Sequence, residues 1–189
     1  MKKIRVAING FGRIGRAFYK VAKENPEIEV IAVNDLTSIE NVQYLLKYDS
    51  VYGISKYTLD GVQYISEKDP TKLPWTKLEI DVVVESTGLF TSSDKAQAHI
   101  VAGAKRVVVS APIKDDSMSV IKGATVLMGM NEDMLSTCQV SSNASCTTNA
   151  GSPLLAILDD AIGVEKAVLN TVHAYTASQS IVDGPAKKD

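Results

Sequence analysis

Cysteine and histidine are scarce in this sequence, two of each in 189 residues, and there is one tryptophan. Two thiols, Cys138 and Cys146, cannot staple a fold, which excludes a disulfide-rich secreted domain and fits a reducing cytoplasm. No charge of either sign dominates: 20 Lys and Arg against 22 Asp and Glu give a net charge of −2. The basic residues are scattered, which argues against nucleic acid or an anionic membrane surface as a partner. No apolar run reaches the roughly 18 residues that would suggest a membrane helix. The basic start Met1-Lys2-Lys3 is soon interrupted by Asn9, Gly10, Gly12 and Arg13, which leave no room for the apolar core of a signal peptide. Internal repeats and low-complexity segments are absent too, and no metal centre is expected. The length suits one full domain and part of another. The close, Ala186-Lys187-Lys188-Asp189, follows soon after a strand-like segment, so the chain reads as one cut off inside a second domain.

The clearest positive signal is near the start. Ile4-Arg5-Val6-Ala7-Ile8 has the length and composition of a buried strand and runs into Asn9-Gly10-Phe11-Gly12-Arg13-Ile14-Gly15, a G-x-G-x-x-G. A helical pattern follows (Ile14, Phe18, Val21, Ala22), stops at Asn25-Pro26, and gives way to a second strand, Glu29-Val30-Ile31-Ala32-Val33-Asn34. Asp35 closes it, at about the 20-residue spacing from the last glycine that a dinucleotide fingerprint requires. In that motif Gly10 permits the tight turn and Gly12 lets backbone approach a pyrophosphate. Gly15 allows close packing of helix on strand. Asp35 can accept hydrogen bonds from a ribose 2′-hydroxyl and would repel a 2′-phosphate.

The rest alternates strand and helix. Thr37 or Ser38 is placed to cap a helix to about Lys47. Residues 57–65 predict a hairpin about Asp60-Gly61. Trp75 reads as a packing anchor. Residues 80–85 predict a buried strand ending at Ser86-Thr87-Gly88, and a helix follows from Ser92, Ser93 or Asp94 to about Ala102. His99 on that helix is expected to be partly exposed and structural. Further strands are predicted at 106–110, 126–131 and 139–142. This alternation predicts an α/β fold, a Rossmann-type doubly wound and mostly parallel sheet. It would be followed by the start of an incomplete α+β domain, with the boundary set at 1–146 and 147–189.

Ser142-Asn143-Ala144-Ser145-Cys146-Thr147-Thr148-Asn149 surrounds one thiol with hydrogen-bonding side chains rather than the apolar neighbours of a structural cysteine. The apolar helical pattern after it puts the sulfur near a helix N-terminus, where N–H groups and the macrodipole favour a thiolate. A polar loop that merely contains a cysteine is the alternative. Pro153 predicts a helix that either starts late or kinks. Residues 166–172 predict a strand that delivers His173, one helix and one strand beyond Cys146, with a histidine satisfied at a strand end as the alternative reading.

Together, Asn9-Gly10-Phe11-Gly12-Arg13-Ile14-Gly15-Arg16, residues 82–88, Ser110-Ala111-Pro112, residues 142–149, Thr171-Val172-His173-Ala174 and Asp183-Gly184-Pro185 resemble the phosphorylating glyceraldehyde-3-phosphate dehydrogenase family, along the whole chain and in order. The resemblance implies an NAD-dependent oxidoreductase of glycolysis, cytoplasmic and homotetrameric when complete, acting on glyceraldehyde 3-phosphate and inorganic phosphate. Erythrose-4-phosphate dehydrogenase, or an NAD-binding piece without turnover, are the alternatives. It implies Cys146 as nucleophile and His173 as its base. Gly10, Phe11, Gly12, Arg13, Ile14, Gly15, Asp35, Thr87 and Ser110 would contact the cofactor. Ser145, Thr147 and Thr176 would hold the two phosphates. Leu36 and the Gly184-Pro185 pair match the NAD-type pattern, and the loop carrying that pair reaches a neighbouring subunit's cofactor in the family tetramer. Two departures stand out: Ala150 replaces a second cysteine, and residues 52–69 are divergent and short. The family's phosphate-clamping arginine, nicotinamide-fixing asparagine and terminal helix have no counterpart in these residues.

Overall fold

The computed structural model describes residues 2–115, 123–179 and 181–185. Strand β1 (Ile4–Asn9) leads through the glycine turn to helix α1 (Arg13–Glu24), then to β2 (Ile28–Asn34) and α2 (Ile39–Lys47). A small antiparallel pair, β3 (Tyr48–Asp49) and β4 (Gly53–Ile54), stands apart. The chain continues through β5 (Gln63–Ile65), β6 (Val82–Glu85), α3 (Ser93–Val101), β7 (Arg106–Val109), β8 (Ala124–Thr125), β9 (Val140–Ser142) and α4 (Cys146–Ile162). Seven strands form one sheet in the order β5-β2-β1-β6-β7-β9-β8, and every pairing in it is parallel. The chain leaves β1 in one direction and returns to its other side at β6. That reversal is the place where open α/β sheets bind ligands, at the carboxyl ends of the strands.

Alternation along β1 divides the core. Ile8 joins Phe11, Tyr19, Val33, Val42, Leu46 and Leu59 under α1 and α2, whereas its neighbour Ala7 joins Trp75, Ile80, Val83, Ala96 and Val107 under α3. Successive side chains point to opposite faces, so a strand covered on both faces must be apolar throughout. Ser38, Ser92 and Ser145 cap α2, α3 and α4 by accepting a backbone N–H. Helix α1 has no such cap: Gly12 stands at its N-cap, and there is no acidic residue in its first turn. Its leading N–H groups are therefore left for another acceptor.

Several expectations are corrected. The 57–65 hairpin does not form. Gly61 alone has positive φ (+77°) and the Val62 N–H reaches the Leu59 carbonyl at 3.0 Å, a type II turn rather than the type I′ a two-residue hairpin needs. Leu59 is pulled into the core beneath α1 and α2, and β5 instead joins β2 as a parallel edge strand. Residues 126–131 form a turn rather than a strand; only the Val126 N–H bonds β9, at Ser142, before the chain folds away. Residues 166–172 are not a strand either: among the described residues no strand runs beside them, and Val168 and Val172 are almost wholly exposed. Helix α4 starts at Cys146 and continues through Pro153, which removes one N–H from its hydrogen-bond ladder without ending it. The last expected features, Ala186 to Asp189, lie outside the described residues.

Candidate functional site: a dinucleotide cleft and a cysteine–histidine pair

The glycine turn opens a cleft of about 350 Å³ at the strand ends, lined by residues that include Gly10, Gly12, Asp35, Leu36, Ser86 and Thr87. Each glycine of the motif meets a different constraint. Gly10 has φ +89°, and a Cβ there would lie 2.6 Å from the Thr87 nitrogen and 2.7 Å from the Ser86 carbonyl carbon. A Cβ on Gly15 would lie 2.2 Å from the Gly10 carbonyl oxygen, so α1 packs directly on the turn. A Cβ on Gly12 would meet no atom within 4 Å. The glycine there is not required by the protein's own packing. The open space lies at the uncapped start of α1, where backbone N–H groups and the helix dipole suit a pyrophosphate.

Asp35 stands across the cleft. One carboxylate oxygen accepts the Phe11 N–H at 2.7 Å and the other the Thr37 N–H at 3.0 Å, so both keep lone pairs for ribose hydroxyls. Tyr64 holds this rim by donating to the carbonyls of Asp35 (3.0 Å) and Thr37, and burial pushes its phenol up to about 12. Other expected contacts are placed less directly. The Phe11 ring is buried edge-on against Tyr19, so only its backbone faces the turn. The Arg13 guanidinium is paired with Asp49 at 3.3 Å and Asp183 at 3.1 Å, which leaves its backbone N–H for an anion. Arg16, buried, seals the turn by donating to the Phe11 carbonyl at 2.9 Å. The Thr87 hydroxyl donates to Glu85 and accepts from the Leu89 N–H, so it offers a ligand only a lone pair. Ile14 is exposed, and Ser110 lies outside the cleft, 3.2 Å from Ser86 and facing a separate apolar groove.

A second group of expected site residues begins where β9 ends. Ala144 adopts φ +62°, a left-handed conformation that costs a non-glycine residue about 1–2 kcal/mol. It is held there by a bond from its N–H to the Ser142 hydroxyl at 2.9 Å. The turn presents Ser145 as helix cap and Cys146 as the first helical residue. The Cys146 sulfur lies 3.1 Å from His173 Nε2. On the far side of the ring, Nδ1 is 2.6 Å from the Ala174 carbonyl, which can only accept. Nδ1 therefore carries the proton and Nε2 is the atom that exchanges one with sulfur. The bond to His173 holds the thiol below its ordinary value, aided by the Thr147 N–H at the helix start. The Ala174 carbonyl, then the sulfur, raises the imidazole. Iodoacetamide alkylation of Cys146 followed against pH is expected to show a half-point below an ordinary thiol's, about 8.5, and His173→Ala should move it up toward the ordinary value, with the Thr147 contribution left in place. An unshifted half-point in the parent protein would remove the pairing.

Ser145 and Thr147 line a cavity of about 400 Å³ beside α4 with Gly151, Leu155 and Leu169. Thr176 is not part of it; its N–H and hydroxyl both reach Gln179 Oε1. His99 is fully buried rather than partly exposed, because it is bonded between Trp75 and Glu85. The one available hint of that pair was an acid, Glu85, directly after three valines. Among the described residues, no group of three or more His, Cys, Asp or Glu is placed to hold a metal ion. No helix among them is long and apolar enough to cross a membrane.

The fold thus carries a dinucleotide-type glycine turn at the switch point of a parallel sheet and a histidine-paired cysteine at a helix start. The comparisons agree. Residues 4–93 match the family model "Glyceraldehyde 3-phosphate dehydrogenase, NAD binding domain", and residues 145–189 match the C-terminal domain of the same family. Glyceraldehyde-3-phosphate dehydrogenase 1 of Trichormus variabilis is 45% identical over 202 aligned residues, which take in all of this chain and 58% of the relative. The Chlamydia muridarum enzyme of that name is 46% identical over 98% of this chain and 58% of its own length. The cytosolic form of Trypanosoma brucei brucei is 43% identical with the same two coverages. This chain belongs to the glyceraldehyde-3-phosphate dehydrogenase family, and its cofactor is NAD. It spans 58% of the length of these relatives.

Proposed function

We propose that the protein catalyses the NAD-dependent oxidation of glyceraldehyde 3-phosphate, with inorganic phosphate, to an acyl phosphate. The observation that carries this reading is the 3.1 Å approach of Cys146 and His173 at the first turn of α4. Cys146 thiolate attacks the aldehyde carbon, and the proton that the thiol gave to His173 Nε2 passes to the new oxyanion, which completes a thiohemiacetal and leaves the imidazole neutral. His173 Nε2 takes the hydroxyl proton as the C–H hydride departs, which leaves a thioester on Cys146. NAD, when bound, supplies the hydride acceptor. Backbone N–H groups at the start of α4 stabilise the oxyanion in each tetrahedral stage. A phosphate oxygen then attacks the thioester carbonyl and Cys146 leaves as thiolate, so the oxidation energy is kept in the acyl phosphate. Ser145 and Thr147, with Thr176, are assigned to the phosphate groups. Gly10 to Gly15, Asp35, Thr87 and Ser110 are assigned to the cofactor.

In this reading residues 1–146 are the NAD-binding domain and 147–189 begin the catalytic one. The protein works in the cytoplasm, as a homotetramer. The test is the protein expressed from its natural reading frame, given glyceraldehyde 3-phosphate, NAD and phosphate and followed by reduced-cofactor absorbance. Phosphate-dependent turnover is expected, and its absence would overturn the reading. Rates on erythrose 4-phosphate in the same assay distinguish the related dehydrogenase. A second reading, that the 189 residues by themselves bind nucleotide without turnover, is favoured by one feature. Leu154, Ile157 and Ile162 on α4 and Val168 and Val172 beyond it are exposed, so much of the apolar surface around Cys146 is left uncovered by the described residues. NAD binding by the 189-residue chain with no aldehyde oxidation would support that reading.

Asp35 sets cofactor choice in this scheme. Asp35→Asn is expected to weaken NAD binding about tenfold and to narrow the preference over NADP, because one ribose acceptor and the repulsion of a 2′-phosphate are both lost. Titration with the two cofactors measures it; an unchanged ratio would detach Asp35 from the ribose.

A further inference from the structure

Three neighbouring parallel strands each end in a buried polar side chain: Asn9 on β1, Asn34 on β2 and Glu85 on β6. The sheet register sets Asn9 opposite both of the others. Burying such groups is unfavourable unless each finds a partner. Here they bond to one another in a single file. The Glu67 N–H meets Asn34 Oδ1 at 2.9 Å and the Glu67 carbonyl accepts from Asn34 Nδ2 at 2.9 Å, which fixes that amide's orientation. Asn34 Nδ2 also donates to Asn9 Oδ1 at 2.7 Å, so Asn9 turns its own Nδ2 to Glu85 Oε2, at 2.6 Å.

The file is fixed from its other end as well. The Trp75 indole N–H, which can only donate, reaches His99 Nδ1 at 3.1 Å. His99 is thereby assigned the tautomer protonated at Nε2, and that N–H faces Glu85 Oε2 at 2.9 Å. Glu85 Oε1 accepts the Thr87 N–H at 2.7 Å and the Thr87 hydroxyl. Four donors converge on one carboxylate. Each is oriented from its far side, so only a group that accepts at both oxygens satisfies position 85.

The same bonds set the shape of the cleft. Glu85 grips the Ser86-Thr87 backbone on which Gly10 rests, and through Asn9 it grips the strand end that leads into the glycine turn. We propose that Glu85 and His99 are positioning residues for the dinucleotide: they hold the glycine turn and the Ser86-Thr87 turn at the separation that admits it. His99 lines no part of the cleft and acts through Glu85. The inference rests on the reading of this cleft as the NAD site.

Two measurements separate the inference from that reading. The sequence has only two histidines, so ¹⁵N NMR of the histidine-labelled protein assigns each ring. His99 is expected as the Nε2–H tautomer and His173 as the Nδ1–H tautomer or the imidazolium. Nδ1–H at His99 would overturn the network whether or not NAD binds. Titration with NAD then tests the consequence. Glu85→Gln puts an amide N–H₂ against donors and is expected to weaken NAD binding about tenfold or more, with the Trp75 indole proton shifted as its bond to His99 breaks. His99→Phe, which removes one donor from the carboxylate, is expected to lose a similar factor. His99→Gln, whose amide can donate to Glu85 and accept from Trp75, should recover most of it. Parent-like NAD affinity in folded Glu85→Gln, or equal loss in the Phe and Gln variants of His99, would overturn the inference. Failure of the parent protein to bind NAD would overturn the site reading instead, with the tautomer result standing apart.

Discussion

Cys146→Ser is expected to lower turnover by about a thousandfold or more while NAD affinity stays unchanged. The loss has two physical sources. A serine hydroxyl ionises far above the range that His173 and a helix start can reach, whereas the Cys146 thiol already lies below its ordinary value through the 3.1 Å bond to His173 and the Thr147 N–H. An oxyester would also be a poorer acyl donor to phosphate than a thioester, so the second half-reaction would fail even if the first proceeded. His173→Ala should lower the rate by about 10²–10⁴-fold, the usual worth of a positioned general base, and should move the acid limb of the pH–rate profile upward. Steady-state kinetics beside NAD titration check both. Substantial turnover in the serine variant would remove Cys146 from the chemistry.

Gly12→Ala should do the reverse: the fold survives and the cofactor is lost. A Cβ at position 12 meets nothing within 4 Å of its own chain, and the residue has φ −68°, which any L-residue adopts. Its melting temperature should therefore match the parent's. The methyl group fills the space where backbone and pyrophosphate must approach, so NAD affinity is expected to fall by about tenfold or more. Gly10→Ala is the contrast. Positive φ and a 2.6 Å approach to the Thr87 backbone nitrogen should make it about 2–4 kcal/mol less stable, with NAD binding lost together with stability. At about 2–4 °C per kcal/mol for a chain of this size, a thermal melt resolves the difference. Equal destabilisation by the two alanines would show that the open space at Gly12 is not reserved for a ligand.

The site shows why some residues were legible in the sequence and others were not. Gly10, Gly12, Gly15 and Asp35 announce themselves because a backbone needs positive φ, close approach or a spaced acceptor wherever it binds a dinucleotide, and those needs map to residue type and interval. The starts of α2 and α3 are legible because a cap satisfies a local donor, and the structure selects Ser38 from Thr37 or Ser38 and Ser92 from Ser92, Ser93 or Asp94. The place of Cys146 at a helix start was readable from the apolar helical pattern that follows its polar run. The 57–65 segment was misread because the local Asp-Gly signal was outweighed by burial of Leu59, a tertiary term. His99 was misread because helical position says nothing about a tryptophan and a glutamate brought in from other elements.

What the sequence determined by itself was therefore local: the strand–turn–helix at the start, the alternation that makes a parallel sheet, and the caps. Those follow from interactions within a few residues of one another. What only the tertiary structure decided was pairing at a distance. It brought His173 to 3.1 Å from Cys146 and oriented its ring by the Ala174 carbonyl. It turned the Arg13 guanidinium to Asp49 and Asp183. It also joined three strand ends into one hydrogen-bonded file. Directed hydrogen bonds between remote residues depend on where the sheet and helices set each backbone, and no interval along the chain encodes that distance.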